Sequence, residues 1–406
     1  MVLFLISNYE GFNTGHGGHY YSLRQMAESI AKYEKVVTIV LGTEMPIVLA
    51  DMKDAHHVPT KLHLQKKALK DAINKLKALE LLSRLSVVHA YDAKSVYVGS
   101  YIAKIIKIPF ILTKCGGKAP KKFYPKVSSL IVFHKTDYDH FDNYKKGYNN
   151  LYLIPNRVKP TRFCEQRKNQ IDSISDENVF NIIKIGRIGT YYHKTLTSAI
   201  KFCAEVQSPA YPIKLTFIGY QESADIANEL HLLSKKLNVN LSIHSESSYT
   251  SNASELIWAC DASIGTGRGA MEALSAGKIL LFPVANFDYP CLFNEQTAPF
   301  AIRDNFSERV KLPEELSNYC NPKHLMSLLS NNNYKDDLRK FGTNFFNLYF
   351  NVDVGAEKII DIYNNSQDIA PISRWYLLYL RFYNAKLYFK YRSKPFRHQF
   401  MKALRL

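Results

Sequence analysis

The sequence lacks the signatures of three protein classes. Its six cysteines are scattered and form no Cys-x-x-Cys pair, which argues against a disulfide framework or a structural zinc site in a chain of this length. No run reaches the roughly 18 apolar residues that a membrane-spanning helix needs. The apolar opening VLFLIS is short, has no basic lead and runs into a polar loop, unlike a secretory signal. We therefore expect a cytoplasmic protein whose membrane contact is peripheral.

Acidic residues are also scarce. The chain has 53 Lys and Arg against 36 Asp and Glu, a formal net charge of +17, which predicts an anionic partner. Phosphate-bearing small molecules, nucleic acid and an anionic membrane surface are all compatible with this charge. The length of 406 residues and the hydrophobic content of 46% predict a globular chain of two domains.

Short apolar runs alternate with helical patterns in two series, which the polar segment 154–178 separates. Continuous apolar strands between helices are typical of a parallel sheet covered on both faces. The sequence therefore predicts an α/β fold of two Rossmann-like, doubly wound domains that face a cleft. We assign residues 1–156 to the first domain, 157–365 to the second and 366–406 to a helical C-terminal extension.

Ligands of such sheets bind at the carboxyl ends of the strands, so the loops that follow strands are candidate sites. Gly17 and Gly18 lie between the first strand and a helix, and we interpret them as a loop that faces a phosphate or an acceptor. His19 follows them, and His89 and Asp92 end another strand. A flexible turn, a structural histidine and a helix N-cap are the respective alternatives for the glycine loop, His89 and Asp92.

A basic loop follows the next predicted strand. It begins with Lys114, Gly116 and Gly117 and contains five lysines and no acid as far as Lys126. The paired glycines suggest close approach of the backbone to a ligand. An ordinary solvated loop is the alternative.

Two cations follow the first strand of the second domain. Arg187 offers a bidentate fork and Lys194 a mobile point charge, and together they suit a diphosphate. Two unrelated surface cations are the alternative interpretation.

The stretch GTGRGAMEALSAGK (residues 265–278) predicts a glycine turn that enters a helix. The amides around Gly267 and Gly269, the helix dipole and Arg268 form a predicted anion pocket. Glu272 lies near the helix start, where a carboxylate also complements the dipole without any other function.

The end of the chain is basic and aromatic. Residues 371–406 contain nine Lys and Arg, ten aromatic residues and no acid. This composition is typical of helices at anionic membrane interfaces, and we expect such a contact. A closing helix that packs back on the first domain is the alternative.

Taken together, these residues resemble a retaining glycosyltransferase of family 4, with the two-domain GT-B fold. The resemblance spans most of residues 1–365 and is carried by GHGGHYYSL, VVHAYD, ILTKCGG, IPNRV, IKIGRI with Lys194, FIG and CDASIGTGRGAMEALSAGKILL. It implies that Arg187 and Lys194 hold the donor diphosphate, that Glu272 bonds the ribose, and that Gly17 and Gly18 approach the donor phosphate and the acceptor. It also implies that the second domain binds the nucleotide and the first domain the acceptor.

Three positions depart from the family pattern. Ile264 stands where the first glutamate of the Glu-x7-Glu motif would fall, and Lys114-Cys115-Gly116 where a histidine is common beside the glycine. The Gly-Arg-Gly sequence of the second-domain turn suggests that Arg268 meets the donor. These departures leave the identity of the sugar open.

We expect a metal-independent glycosyltransferase that moves a sugar from a nucleotide sugar to a lipid-linked or cell-surface polysaccharide acceptor. No cofactor is expected, and the resemblance implies a fold class that needs no metal. The catalytic base is not assigned, with His19, His89 and Asp92 as its candidates. The alternatives are a nucleotide-sugar epimerase of the same fold and a basic nucleic-acid-binding protein, although the sequence has no nucleic-acid recognition motif.

Overall fold

The computed structural model describes residues 1–9, 17–120, 124–143, 148, 150–366 and 373–392, with side chains as far as 390. The chain divides into two compact units: unit 1 is Met1–Asn156 with Gly355–Leu406, and unit 2 is Arg157–Val354. The part of the glycine loop before Gly17 and the end of the basic tail lie outside the described residues.

Unit 1 is built on a seven-stranded sheet in the order β3-β2-β1-β4-β5-β6-β7. All of its strand pairs are parallel. The central strand β1 is buried along its whole length, because neighbouring strands and helices surround it. The strands are β1 Val2–Asn8, β2 Val36–Gly42, β3 Ala55–Pro59, β4 Val87–Ala90, β5 Phe110–Lys114, β6 Ser129–Val132 and β7 Asn150–Leu153.

Helices connect these strands and cover the sheet. The early helices are α1 Gly18–Ile30, α2 Gln65–Ala78, α3 Val96–Ile106 and α4 Lys135–Asn143. Two C-terminal helices follow unit 2 in the chain, α13 Val352–Asn365 and α14 Arg374–Arg392. Leu377 and Leu380 of α14 are buried in the core of unit 1, so this helix packs back on the first sheet.

Unit 2 contains a six-stranded sheet in the order β10-β9-β8-β11-β12-β13. Its strands are parallel except for the pair of β12 with the edge strand β13. The strands are β8 Phe180–Ile185, β9 Ile213–Ile218, β10 Asn240–His244, β11 Ala262–Ile264, β12 Ile279–Phe282 and β13 Cys291–Leu292. The helices are α5 Lys168–Ile174, α6 His193–Val206, α7 Ala224–Lys236, α8 Ser247–Thr250, α9 Arg268–Ser275, α10 Ala298–Arg303, α11 Pro322–Leu329 and α12 Asn332–Tyr349.

The predicted fold class, two doubly wound α/β units with a helical C-terminal part, is confirmed. Two edge strands had no signal in the sequence: β3 reads AHHVP, and β13 has two residues. The segment from Gly355 groups with unit 1, whereas the sequence assigned residues up to 365 to the second domain. The physical reason is visible at Tyr363, whose hydroxyl bonds to buried His89 of β4.

Among the described residues, the structure contains no helix both long and apolar enough to cross a bilayer.

Candidate functional site

The carboxyl edge of the unit 2 sheet brings together most of the predicted donor residues. Arg187 follows β8, Lys194 lies in the first turn of α6, and the 265–269 turn joins β11 to α9. In a parallel sheet these loops share one edge, which is where ligands of doubly wound folds bind.

Both predicted diphosphate cations are exposed and hold partners that a ligand can replace. Nη1 of Arg187 donates to Oε1 of Glu222 at 2.8 Å, and the arginine side chain is 48% exposed. Nζ of Lys194 donates to the carbonyl of Ala285 at 2.9 Å. Exposed ion pairs contribute little to stability, so the Arg187 guanidinium can exchange Glu222 for another anion at little cost.

The turn after β11 depends on its glycines. A Cβ on Gly265 would lie 2.5 Å from Cα of Ala270, so a side chain there would collide with the following helix. Gly267 has φ 51° and ψ −120°, a conformation that other residues rarely adopt. No described side chain caps the start of α9, and the helix dipole therefore favours an anion at this end.

Arg268 and Glu272 form a pair within α9. Nη2 of Arg268 donates to Oε1 of Glu272 at 3.1 Å, and the two side chains are 13% and 15% exposed. Nη1 of Arg268 donates to the carbonyl of Arg157 at 3.3 Å. Burial raises the pKa of Glu272, and the charge of Arg268 opposes that rise. Arg268, which the sequence predicted at the donor phosphate, is thus engaged inside unit 2.

Lys184 and Tyr192 lie at the same edge, and neither is predicted as a site residue from the sequence. Lys184 is buried in β8, with Nζ 5.5 Å from the ring centre of Tyr192. The pKa of Tyr192 is raised, mainly by burial, and the charges of Arg187, Glu222 and Glu308 all act on it. The available signal was a lysine inside the apolar run IIKI.

Both His89 and Asp92 form hydrogen bonds within unit 1. His89 is completely buried, with Nδ1 2.7 Å from the Tyr363 hydroxyl and Nε2 2.7 Å from Oγ1 of Thr113. Burial lowers the pKa of His89 to about 3. Oδ2 of Asp92 accepts from the Ser7 amide at 2.6 Å, and Oδ1 accepts from the amides of Lys94 and Ser95. This geometry favours the structural role for His89. It also indicates that Asp92 stabilises the backbone at Ser7 and at Lys94 and Ser95.

His19 is the third candidate base and is only partly buried. It lies directly after Gly17 and Gly18 in α1, and its ring is 4.0 Å from that of Tyr20. Burial lowers the pKa of His19 to about 4, while the charge of Asp92 opposes this shift. The imidazole is therefore neutral at physiological pH, as a proton acceptor must be.

Lys114 belongs to a buried network at the end of β5. Its Nζ donates to Oδ2 of Asp137 and to the carbonyl of Gly116, both at 2.7 Å. Nε2 of His134 lies 2.9 Å from the same Asp137 oxygen. Gly116 and Gly117 have φ of 37° and 79°, and no atom lies within 4 Å of a Cβ built on either. Lys114 thus stabilises the turn, and the open part of the loop is the backbone at Gly116 and Gly117.

The described residues contain no group of three or more His, Cys, Asp or Glu side chains arranged to hold a metal ion.

Solved structures with the same architecture cover nearly the whole chain. HepE (Alr3699) of Anabaena in complex with UDP and glucose superposes with a TM-score of 0.62 and 12% identity, over 90% of this chain and 100% of that one. A glycosyltransferase from Rickettsia africae gives a TM-score of 0.64 and 14% identity, over 92% and 99% of the two chains. The lipopolysaccharide outer core galactosyltransferase WaaB gives 0.58 and 12%, over 90% and 99%.

No protein-family model matches the sequence, and no curated protein matches it. The structural likeness therefore establishes the fold. The chain has the GT-B architecture, two doubly wound α/β units with a helical C-terminal part.

Proposed function

We propose that the protein is a glycosyltransferase that binds a nucleoside-diphosphate sugar at the carboxyl edge of the unit 2 sheet. The observation that carries the proposal is the convergence of Arg187, Lys194 and the uncapped start of α9 at that edge. All three offer positive charge to a diphosphate. The HepE structures, which contain UDP or UDP-glucose, support a nucleotide sugar as the donor class.

In the proposed reaction, the bond between the sugar and the diphosphate breaks as the acceptor oxygen attacks. Arg187 and Lys194 neutralise the charge that grows on the leaving diphosphate, and preorganised charges of this kind supply much of an enzyme's rate enhancement. Oε1 of Glu272 accepts from Arg268, and in the proposed complex Oε2 accepts a hydrogen bond from a ribose hydroxyl. Transfer follows the retaining course of glycosyltransferase family 4 and needs no metal. His19, neutral and partly buried, is the candidate proton acceptor.

The proposed acceptor is a lipid-linked or cell-surface glycan, bound by unit 1 through the glycine backbone at Gly17–Gly18 and Gly116–Gly117. WaaB, which is named as a lipopolysaccharide galactosyltransferase, supports this acceptor class. The outer face of α14 supports a peripheral site on the cytoplasmic side of an anionic membrane. Trp375, Phe382 and Phe389 are 81%, 67% and 63% exposed there, and basic residues lie among them.

Donor binding is tested by a thermal-shift panel of UDP-, GDP-, CMP- and dTDP-sugars. We expect one nucleotide class to raise the melting temperature, and we expect Arg187→Ala and Lys194→Ala to remove that rise. If no nucleotide sugar stabilises the wild-type protein, the proposal is wrong. EDTA treatment, which should leave activity unchanged, tests metal independence.

An epimerase of the same fold is separated from a transferase by product analysis without acceptor. The epimerase converts the sugar of the donor, whereas the transferase returns the donor or slowly hydrolyses it.

A further inference from the structure

The ammonium of Lys184 is buried, and few described groups lie close enough to stabilise its charge. The residue is 2% exposed, and its Nζ has one hydrogen-bonding partner among the described residues, Oγ1 of Thr266 at 3.5 Å. That distance is beyond the usual range for a hydrogen bond. No described carboxylate lies within 4.0 Å of the ammonium, although the charge of Glu308 acts on it. Burial lowers the pKa of Lys184 to about 8, so the group is largely protonated at neutral pH.

The hydrophobic core does not require a lysine at position 184. Withdrawing an ammonium from water is costly unless close partners compensate, and an apolar residue would suit a strand that reads IIKI. The Tyr192 ring at 5.5 Å returns only a fraction of that cost. The compensation is therefore incomplete without a ligand.

The ammonium lies at the edge where the other donor groups converge. Its partner Thr266 sits between Gly265 and Gly267, in the turn that enters α9. Gly186 follows β8 directly, and a Cβ there would lie 3.9 Å from Nζ, so the glycine leaves the approach to the ammonium open. Glu308 accepts a hydrogen bond from Thr195, which holds this carboxylate near the lysine without a direct ion pair.

We propose that Lys184 is a further donor-binding residue, whose ammonium binds the diphosphate of the nucleotide sugar from the β8 side of the 265–267 turn. The inference rests on the proposed function of this edge. The diphosphate supplies the negative charge that Thr266 and Tyr192 do not, and Lys184 then acts beside Arg187 and Lys194 on the leaving group.

The experiment compares Lys184→Met, which keeps the length of the side chain and removes its charge, with Lys278→Met as a matched control. Lys278 also lies in unit 2, but at the start of β12, where its ammonium donates to the carbonyl of Trp258 at 3.2 Å and lies 5.3 Å from that ring. Calorimetry measures the binding of UDP, GDP, CDP, dTDP, inorganic pyrophosphate and the nucleoside of whichever diphosphate binds best.

We expect Lys184→Met to weaken the best nucleoside diphosphate and pyrophosphate at least tenfold, while the nucleoside binds as it does to the wild type. Lys278→Met should match the wild type with every probe. The melting temperature of unliganded Lys184→Met should equal or exceed that of the wild type, because an uncompensated charge has been removed. If this variant does not fold, Lys184→Gln replaces it.

Equal diphosphate affinity in wild type and Lys184→Met overturns the role of Lys184 and leaves the proposed function standing. A loss of nucleoside affinity equal to the loss of diphosphate affinity also overturns it, because the effect is then not on phosphate. If the wild type binds neither a nucleoside diphosphate nor pyrophosphate, both proposals fail.

Discussion

The charged side chains at the carboxyl edges of the two sheets lie in different environments. At the carboxyl edge of unit 1, His89, Asp92 and Lys114 are all bonded to other parts of the same unit. At the corresponding edge of unit 2, Arg187 and Lys194 are exposed, and Lys184 is buried with one weak hydrogen-bond partner among the described residues. The same strand order thus supports one edge whose charged groups are buried in internal networks and another whose cations are exposed or weakly paired.

This difference teaches that a charged residue at a strand end is not by itself evidence of a binding site. The deciding property is whether the group and its partner are buried, because Arg187 also pairs within its own unit, with Glu222, but both side chains are exposed. A buried, fully bonded group such as Lys114 costs stability if it is disturbed, whereas an exposed cation such as Arg187 loses little when it exchanges one partner for another.

The largest effect is expected when Asp137 is removed from its buried network with Lys114 and His134 in unit 1. Asp137→Ala leaves the ammonium of Lys114 buried without its counter-charge, and we expect a loss of about 3–5 kcal/mol in the free energy of unfolding. Chemical denaturation measures it. Asp139→Ala, in the same helix, breaks only the exposed pair with Lys135 and should cost at most about 0.5 kcal/mol. Similar losses in the two variants would contradict the comparison.

At the unit 2 edge, the opposite pattern is expected. Arg187→Ala should weaken binding of the best nucleoside diphosphate by roughly 10- to 100-fold, because a charged hydrogen bond is worth about 1.5–3 kcal/mol, while the melting temperature hardly changes. Calorimetry and thermal unfolding give the two readouts. Glu222→Gln is the control, since it releases Arg187 and should leave diphosphate affinity equal or higher. A large loss of stability in Arg187→Ala would mean that Arg187 stabilises the fold, as the charged residues at the unit 1 edge do. That result would contradict the comparison.

The buried histidine of unit 1 predicts a pH dependence of stability. The pKa of His89 is about 3 in the folded protein and about 6.5 in the unfolded chain. The unfolded state therefore binds the extra proton first, and stability falls as pH drops below about 6.5 towards 3. At pH 5 the expected loss from this group is about 2 kcal/mol. Denaturation at pH 7 and pH 5 should show a smaller loss in His89→Gln, and equal losses would refute the assignment.

The smallest expected effect concerns Glu272. If its carboxylate bonds the ribose, the wild type should prefer a ribonucleoside diphosphate to its 2′,3′-dideoxy form, and Glu272→Gln should reduce that preference about fivefold, a loss of about 1 kcal/mol. Calorimetry with both nucleotides measures the preference. An unchanged preference would mean that Glu272 serves only Arg268 and the start of α9.

The sequence predicted most of the architecture, for reasons that particular elements illustrate. The runs VLFLIS and FNIIKI are mostly apolar because their strands are covered on both faces, so they could be recognised from the sequence alone. The edge strands β3 and β13 carry no such run, because β3 is only partly buried and β13 has two residues. The glycine turn before α9 was also predictable, since its backbone geometry requires glycine at two positions.

The candidate site was predictable only in part. Arg187, Lys194 and Glu272 follow apolar strands or glycine turns, so their position at an edge could be inferred. Lys184 was read as part of a strand, because nothing nearby in sequence indicates that its ammonium lacks a partner.

The sequence by itself determined two parallel sheets, the glycine turns at their edges and an excess of positive charge. These properties follow from local apolar runs, from the conformational freedom of glycine and from composition. Only the tertiary structure decided which charges are buried in internal networks and which are exposed or weakly paired. The physical reason is that the energy of a charge depends on its burial and its partners, and the partner of His89 is Tyr363, 274 residues further along the chain.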